Sequence, residues 1–140
     1  MTPYLTIYNR FLEKVTDYFI FELSDEDTCN YCHKLLMSAL ANLKNLENDL
    51  EDIDDEQCVF NSDLTNKEIE YVACQMACEW LTPQINNTTL TTFYVGAKDE
   101  KFYSSSNQLK ELMSLRDDMI ARIKKIRRDY TYENSEYLSQ

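Results

Sequence analysis

The sequence predicts an all-α fold, a single-domain helical bundle of about four to five helices with a long C-terminal helix and a short extended tail. Its length of 140 residues suits one domain with a substantial core. One Gly and two Pro are too few for the many turns of an all-β sandwich or barrel. Apolar side chains recur at helical spacing along most of the chain. We expect residues 1–130 to form the helical domain and residues 131–140 the tail.

Two helices are predicted in the first 50 residues. The first runs from about Pro3 to Phe19, because proline fits a first helical turn and apolar residues follow at helical spacing. The second should begin near Ser24, a capping residue followed by three acidic residues that suit the positive end of the helix dipole. Its apolar period continues to about Leu50.

The third helix has the clearest start signal. Thr65 and Glu68 have the spacing of a capping box, and Leu64 and Ile69 are placed to form a hydrophobic staple. We expect this helix to be the central one of the domain, with Trp80 in the core, because one broad face is apolar. Pro83 should end it, since the residue before a proline avoids the α region.

The last 60 residues are predicted to form a short helix and a long one. The short helix lies within residues 82–94, where four threonines weaken helix propensity, and Gly96 breaks the chain after it. The long helix should begin at Ser104 or Ser105, because Ser105 and Gln108 have capping-box spacing. Its apolar stripe continues to about Tyr130.

Five cysteines and one histidine raise the question of a cofactor. We expect reduced thiols in a cytosolic compartment, because the count is odd and no export signal or membrane-spanning run is recognised. Cys29, Cys32 and His33 match the string of c-type haem attachment, and the first two could join Cys74 and Cys78 in a four-thiolate zinc site. We favour small buried apolar side chains for these four cysteines and predict no cofactor. His33 is the only histidine, and with no second His or matched acid it is a poor catalytic candidate.

Charge is distributed unevenly along a chain of net charge −11. Residues 1–100 contain 6 basic and 19 acidic side chains, a net charge of −13, whereas residues 101–140 contain 8 basic and 6 acidic, a net charge of +2. The basic cluster near the end of the last helix consists of Arg122, Lys124, Lys125, Arg127 and Arg128. It is either a solvated helix end favoured by the dipole, or a docking stripe for the acidic face of another subunit. A nucleic-acid site is a weaker third reading, because the rest of the chain repels phosphate.

An acidic stretch at residues 47–56 is expected to be a solvated loop. It lacks the glycine and the closing glutamate of a calcium-binding loop. The alternative is a surface that repels nucleic acid or meets a basic partner.

Three segments in order resemble a known family. They are Leu64–Ile69, then Met76–Pro83 with its Trp-Leu-Thr-Pro, then Lys98–Ser104, and a long helix ending near Tyr130 follows. This pattern, over roughly residues 60–132, is similar to the small helical neck proteins of tailed bacteriophages, the head–tail connectors also called adaptor or head-completion proteins. The first 60 residues match no family pattern.

The resemblance implies a non-enzymatic virion protein of the neck, assembled in the host cytoplasm. Its partners would be the portal protein, neighbouring copies of itself in a ring, and a further neck or tail protein. Packaged DNA would pass close by without specific binding, and no membrane is involved. The segment that docks on the portal or the next subunit would contain Arg122, Lys124, Lys125, Arg127, Arg128, Tyr130, Tyr132 and Tyr137. An acidic loop of Asp52, Asp54, Asp55 and Glu56 could line the DNA channel.

Two other classes of function are weighed against this one. A small acidic phage protein that binds a host factor or mimics DNA would explain the charge of −11, but not the basic helix end. An enzyme would need paired carboxylates in a cleft, whereas the acidic residues fall mainly in capping, loop and outer-face positions. A single glycine also excludes a Gly-rich phosphate loop.

Overall fold

The computed structural model describes residues 1–15, 24–95 and 100–138. In these ranges the elements are four helices and three very short strands, so the predicted helical bundle is confirmed as a mainly-α fold, to which the strands add a small sheet. In chain order they are β1 (Thr2–Pro3), α1 (Tyr4–Lys14), α2 (Asp25–Asn42), β2 (Ile53–Asp54), β3 (Val59–Phe60), α3 (Asn66–Val95) and α4 (Glu100–Leu138). Phe19, Gly96 and Lys98, which entered the sequence predictions, lie outside the described residues.

A small antiparallel sheet was not predicted. Its strand order is β1-β3-β2, and Phe60 of β3 pairs with Thr2 on one side and Ile53 on the other. Each strand has two residues, which is too short for an alternating pattern to be visible in the sequence. The acidic stretch is therefore only partly a loop, because it contains β2 and the turn that leads into β3.

The second helix begins where predicted but ends early. The Ser24 hydroxyl accepts a hydrogen bond of 3.2 Å from the Asp27 amide, as an N-cap should. The helix stops at Asn42 rather than near Leu50. Beyond it the chain turns, and the Asn45 side chain accepts a hydrogen bond of 3.0 Å from the Leu50 amide. Leu50 is nonetheless buried. The apolar spacing that leads to it therefore marks a buried loop and not a continued helix.

The start of α3 confirms the capping box. The Glu68 amide donates to the Thr65 hydroxyl at 3.2 Å, and the Thr65 amide donates to the Glu68 carboxylate at 3.1 Å. The predicted end at Pro83 is wrong, and residues 82–94 belong to the same helix. Leu81 and Ile85 are both buried around Pro83, so core packing holds the helix together despite the lost hydrogen bond.

The last helix is longer than predicted at both ends. It is helical from Glu100, so Ser105 lies inside it and cannot be its N-cap. It continues to Leu138, so residues 131–138 are helical rather than an extended tail.

One core joins all four helices and β3. α3 lies at its centre and packs against α1, α2 and α4, as predicted. Trp80 is 2% exposed, and α4 contributes a buried stripe of Leu112, Met119 and Ile123.

Candidate functional site

The exposed side of α4 carries a basic face near its C-terminal end. Five side chains line a shallow open pocket of about 460 Å³ there: Lys124, Arg127, Arg128, Thr131 and Tyr132. We call this set the basic face. Lys124, Arg128 and Tyr132 follow one another at intervals of four residues, so successive helical turns place them side by side. All three are exposed, and Tyr132 is 64% exposed.

Two exposed apolar residues extend this side of the helix. Met113 and Ile120 are 42% and 37% exposed, and their spacing from Lys124 puts them on the same side of α4. A surface that combines apolar and cationic groups in this way suits contact with another protein.

Among the contacts between described residues, Arg127 is the member of the basic face that is anchored to the body. Its Nη2 atom donates a hydrogen bond of 3.1 Å to the Tyr71 hydroxyl, and its guanidinium carbon lies 5.9 Å from the Tyr71 ring centroid. The Tyr71 hydroxyl in turn donates to the Lys44 carbonyl at 3.0 Å. Arg127 therefore lies half-buried between α4 and α3 and positions the basic face.

Arg122 also contacts the body rather than standing free. Its Nη1 atom lies 3.4 Å from the Glu70 carboxylate, which accepts hydrogen bonds from Arg10 at 3.0 Å and from Lys14. Glu70 therefore links α1, α3 and α4. Partial burial raises the pKa of Glu70, but the hydrogen bonds from Lys14 and Arg10 outweigh that effect and hold it below its ordinary value.

The remaining predicted docking residues divide by exposure. Lys125 is exposed, one position beyond Lys124 and so on a different side of α4. Tyr130 is half-buried against the core. Tyr137 lies in the last turns of α4, where only the backbone is described.

The predicted acidic loop is a structured hairpin turn. The Asp52 carboxylate accepts a hydrogen bond of 2.9 Å from Asn61, and that of Asp54 accepts one of 3.2 Å from the Gln57 amide. Glu56 is exposed at the tip. Most of these acids therefore stabilise the turn by hydrogen bonds and also give it negative charge. That they face a DNA channel remains a prediction.

Asp55 binds two side chains that sequence reasoning did not connect with it. Its Oδ1 atom accepts a hydrogen bond of 3.0 Å from the Tyr4 hydroxyl and lies 2.9 Å from Nε2 of His33. The bond to His33, and then that to Tyr4, lower the pKa of Asp55 below its ordinary value. The expectation that His33 has no matched acid is therefore wrong. The two residues are 22 positions apart, and only the unpredicted hairpin brings them together.

A groove of about 490 Å³ opens beside this cluster. Its walls come from the start of the chain, from the first turns of α2 and from the hairpin. They comprise Pro3, Tyr4, Leu5, Tyr8, Cys29, Asn30, His33, Gln57, Cys58 and Val59. We call it the thiol groove, because two cysteines line it. Cys58 adopts a positive φ of 56° at the end of the hairpin turn.

The cysteines do not behave as one class. All five are free; Cys32, Cys74 and Cys78 are buried, whereas Cys29 and Cys58 are exposed. Burial raises the pKa of Cys32 and Cys74 to about 12 and that of Cys78 to about 11. The expectation that Cys29 is buried with the others is therefore wrong.

No candidate metal centre emerges from the described ranges. Across residues 1–15, 24–95 and 100–138, no group of three or more His, Cys, Asp or Glu side chains could hold a metal ion. The four-thiolate arrangement is therefore not formed by the cysteines as they lie in this structure. In the same ranges, every helix is too short or too polar to span a bilayer.

Comparison of the chain with protein-family models, with curated proteins and with solved structures finds no match.

Proposed function

We propose that this protein is a structural subunit of the neck of a tailed bacteriophage, a head–tail connector that docks on the portal protein and on neighbouring copies through the basic face. The observation that carries the proposal is an exposed patch of Lys124, Arg128 and Tyr132 on a chain of net charge −11. The resemblance of residues 60–132 to neck proteins supplies the identity of the partners.

Physical arguments support protein contact as the role of this face. Opposite charges steer association and fix the register of an interface, and Tyr and Arg are enriched where proteins meet. Met113 and Ile120 add apolar area next to the cations. Because the basic face and the acidic hairpin are different surfaces, contacts between copies would be heterologous, the kind that closes into a ring when the rotation permits.

The long helix suits a role in which one end reaches a partner. Its 39 residues correspond to about 58 Å of continuous helix. Arg127 and Arg122 tie its C-terminal half to α3, so the basic face is presented from a fixed position rather than from a free tail. A pre-positioned surface loses less conformational entropy on binding.

One observation favours the alternative of an acidic phage protein that binds a host factor or mimics DNA. Asp52, Asp55 and Glu56 on the hairpin and the three acids in the first turn of α2 are all exposed. In this alternative Lys124 and Arg128 do not contact the partner. The two functions therefore differ in whether the basic face or the acidic surface binds the partner.

A matched pair of charge-reversed variants separates them. The variant Lys124→Glu/Arg128→Glu alters the basic face, and Lys34→Glu/Lys110→Glu makes the same change of charge at other exposed helix positions. We would measure binding to the portal protein encoded in the same genome by co-sedimentation, and self-association by native mass spectrometry. The proposal expects the first variant to lose both and the control to retain them. Binding that survives in the first variant, or a wild-type protein that binds no portal, would refute the docking role.

A further inference from the structure

The thiol groove is lined by a histidine and two accessible thiols, and docking through the basic face uses none of them. Asp55 binds the histidine beside the groove. Of the five free cysteines, Cys29 and Cys58 are exposed, and both line this one groove. The other three are buried with pKa values of about 11–12, so few of them are thiolates near neutral pH. Thiol chemistry on the folded protein is therefore confined to the groove.

The two accessible thiols have different surroundings. Cys29 lies one helical turn before His33 on α2, a spacing that places side chains about 5–6 Å apart at Cβ. The Cys58 sulfur lies in the hairpin turn and donates to the Asp55 carbonyl at 3.5 Å. Cys29 is therefore the thiol that has an imidazole as its neighbour along a helix face.

Asp55 determines which nitrogen of that imidazole can accept a proton. With its lowered pKa the Asp55 carboxylate is ionised near neutral pH and can only accept hydrogen bonds. The proton of neutral His33 must then lie on Nε2, which faces Asp55 at 2.9 Å. Nδ1 is left as the ring nitrogen that can accept a hydrogen bond or a proton, and Asp55 holds the ring through Nε2.

We propose that the thiol groove is a site of reversible thiol modification, in which Cys29 forms a mixed disulfide with a small cationic disulfide and His33 accepts the thiol proton. The walls accommodate a short carbon chain, because Pro3, Leu5 and Val59 are among them. The preference for a cation follows from Asp55 and Glu56 on the hairpin and the acidic first turn of α2.

The exchange balances without a further reactant. The Cys29 thiol gives its proton to Nδ1 of His33, and the thiolate attacks one sulfur of the disulfide RSSR. A bond forms between the Cys29 sulfur and one RS group, and the original S–S bond breaks. The departing RS⁻ takes the proton from His33 and leaves as RSH. Cys29 is oxidised to the mixed disulfide, and the other half of the reagent is reduced to a thiol.

The test is the rate of adduct formation on the full chain. The protein is mixed with cystamine, which is cationic, or with glutathione disulfide, which is anionic, and acid-quenched samples are mapped by peptide mass spectrometry. We expect Cys29 to react about tenfold faster than Cys58. This factor is smaller than the full rate enhancement that a well-positioned general base gives. Cystamine should react faster than glutathione disulfide, and salt should reduce the difference.

Variants identify the role of each group. His33→Asn should slow modification of Cys29 about tenfold and leave Cys58 unaffected. Asp55→Asn should shift the pH profile of the Cys29 rate without abolishing the reaction, which a purely structural role would not do. Lys110→Ala, at an exposed position of α4 outside the groove, is the control and should leave the Cys29 rate unchanged. The same rates measured in urea give the reactivity of the thiols in the unfolded chain. A variant that has lost its fold is recognised because its rates in buffer match those in urea.

Three results would overturn the proposal. One is reaction at Cys58 before Cys29, and another is a Cys29 rate no faster in the folded protein than in urea. The third is an unchanged rate in His33→Asn that remains folded. Equal rates for the two reagents would overturn the cationic preference.

Discussion

The guanidinium of Arg127 lies over the ring of Tyr71 and donates a hydrogen bond of 3.1 Å to its hydroxyl. This pair holds the C-terminal half of α4 against α3. The Tyr71 hydroxyl in turn donates a hydrogen bond to the Lys44 carbonyl, in the segment after α2. Three parts of the chain that are distant in sequence therefore meet at one phenol.

We predict that Arg127→Ala lowers the free energy of unfolding by about 1–2 kcal/mol, because a cation–π contact and a partly buried hydrogen bond are lost together. Arg128→Ala is the matched control on the exposed side and should change it by less than about 0.5 kcal/mol. Urea denaturation followed by circular dichroism measures both. A double-mutant cycle with Tyr71→Phe should show that the two effects are not additive. Equal effects of the two arginine substitutions would contradict the anchoring role.

Glu70 should make the free energy of unfolding depend on pH. Its pKa is held below the ordinary value in the folded state, so the folded protein resists protonation of this carboxylate more than the unfolded chain does. The stabilisation is present above the unfolded pKa of about 4.3 and is lost as pH falls through the lower folded value.

We therefore predict that wild-type protein and Glu70→Gln differ most in stability at neutral pH and converge in acid. The measurement is the urea midpoint of both proteins from about pH 7 to pH 3, because subtracting one curve from the other cancels the carboxylates that the two share. Lys110→Ala serves as a control for loss of an exposed charge. A difference between wild type and Glu70→Gln that stays constant across this range would show that Glu70 is not the group concerned.

The starts of α2 and α3 were predictable from local capping signals, whereas the start of α4, the end of α3 and the distant pairings were not. The Ser24 cap and the Thr65–Glu68 capping box were found because both involve residues three positions apart. Apolar residues at helical spacing predict a helix as far as Leu50, whereas the Asn45 side chain closes a loop there. The contact between His33 and Asp55 depends on two-residue strands that leave no periodic signal, so that part of the groove could not be predicted.

Trp80 should be a principal contributor to stability rather than a binding residue. It is 2% exposed in the centre of α3. We predict that Trp80→Ala lowers the free energy of unfolding by about 3–5 kcal/mol, because it leaves a cavity that the surrounding helices fill only partly. Tyr132→Ala, at an exposed aromatic, should cost less than about 0.5 kcal/mol but weaken portal binding. Loss of binding without loss of stability in Trp80→Ala would reverse this assignment.

Pro83 offers a gain of stability that the sequence did not suggest. It lies exposed inside α3, where it cannot donate to the Glu79 carbonyl and its ring crowds the preceding turn. We predict that Pro83→Ala raises the free energy of unfolding by about 1–2 kcal/mol, less than the ~3 kcal/mol scale of helix propensity because proline also restricts the unfolded chain. Asn86→Ala, an exposed position one turn later, is the control and should gain less than about 0.7 kcal/mol. Urea denaturation of both variants gives the comparison. An unchanged or lowered stability in Pro83→Ala would mean that the restriction of the unfolded chain by proline matches or exceeds its cost in the helix, and the predicted gain would be wrong.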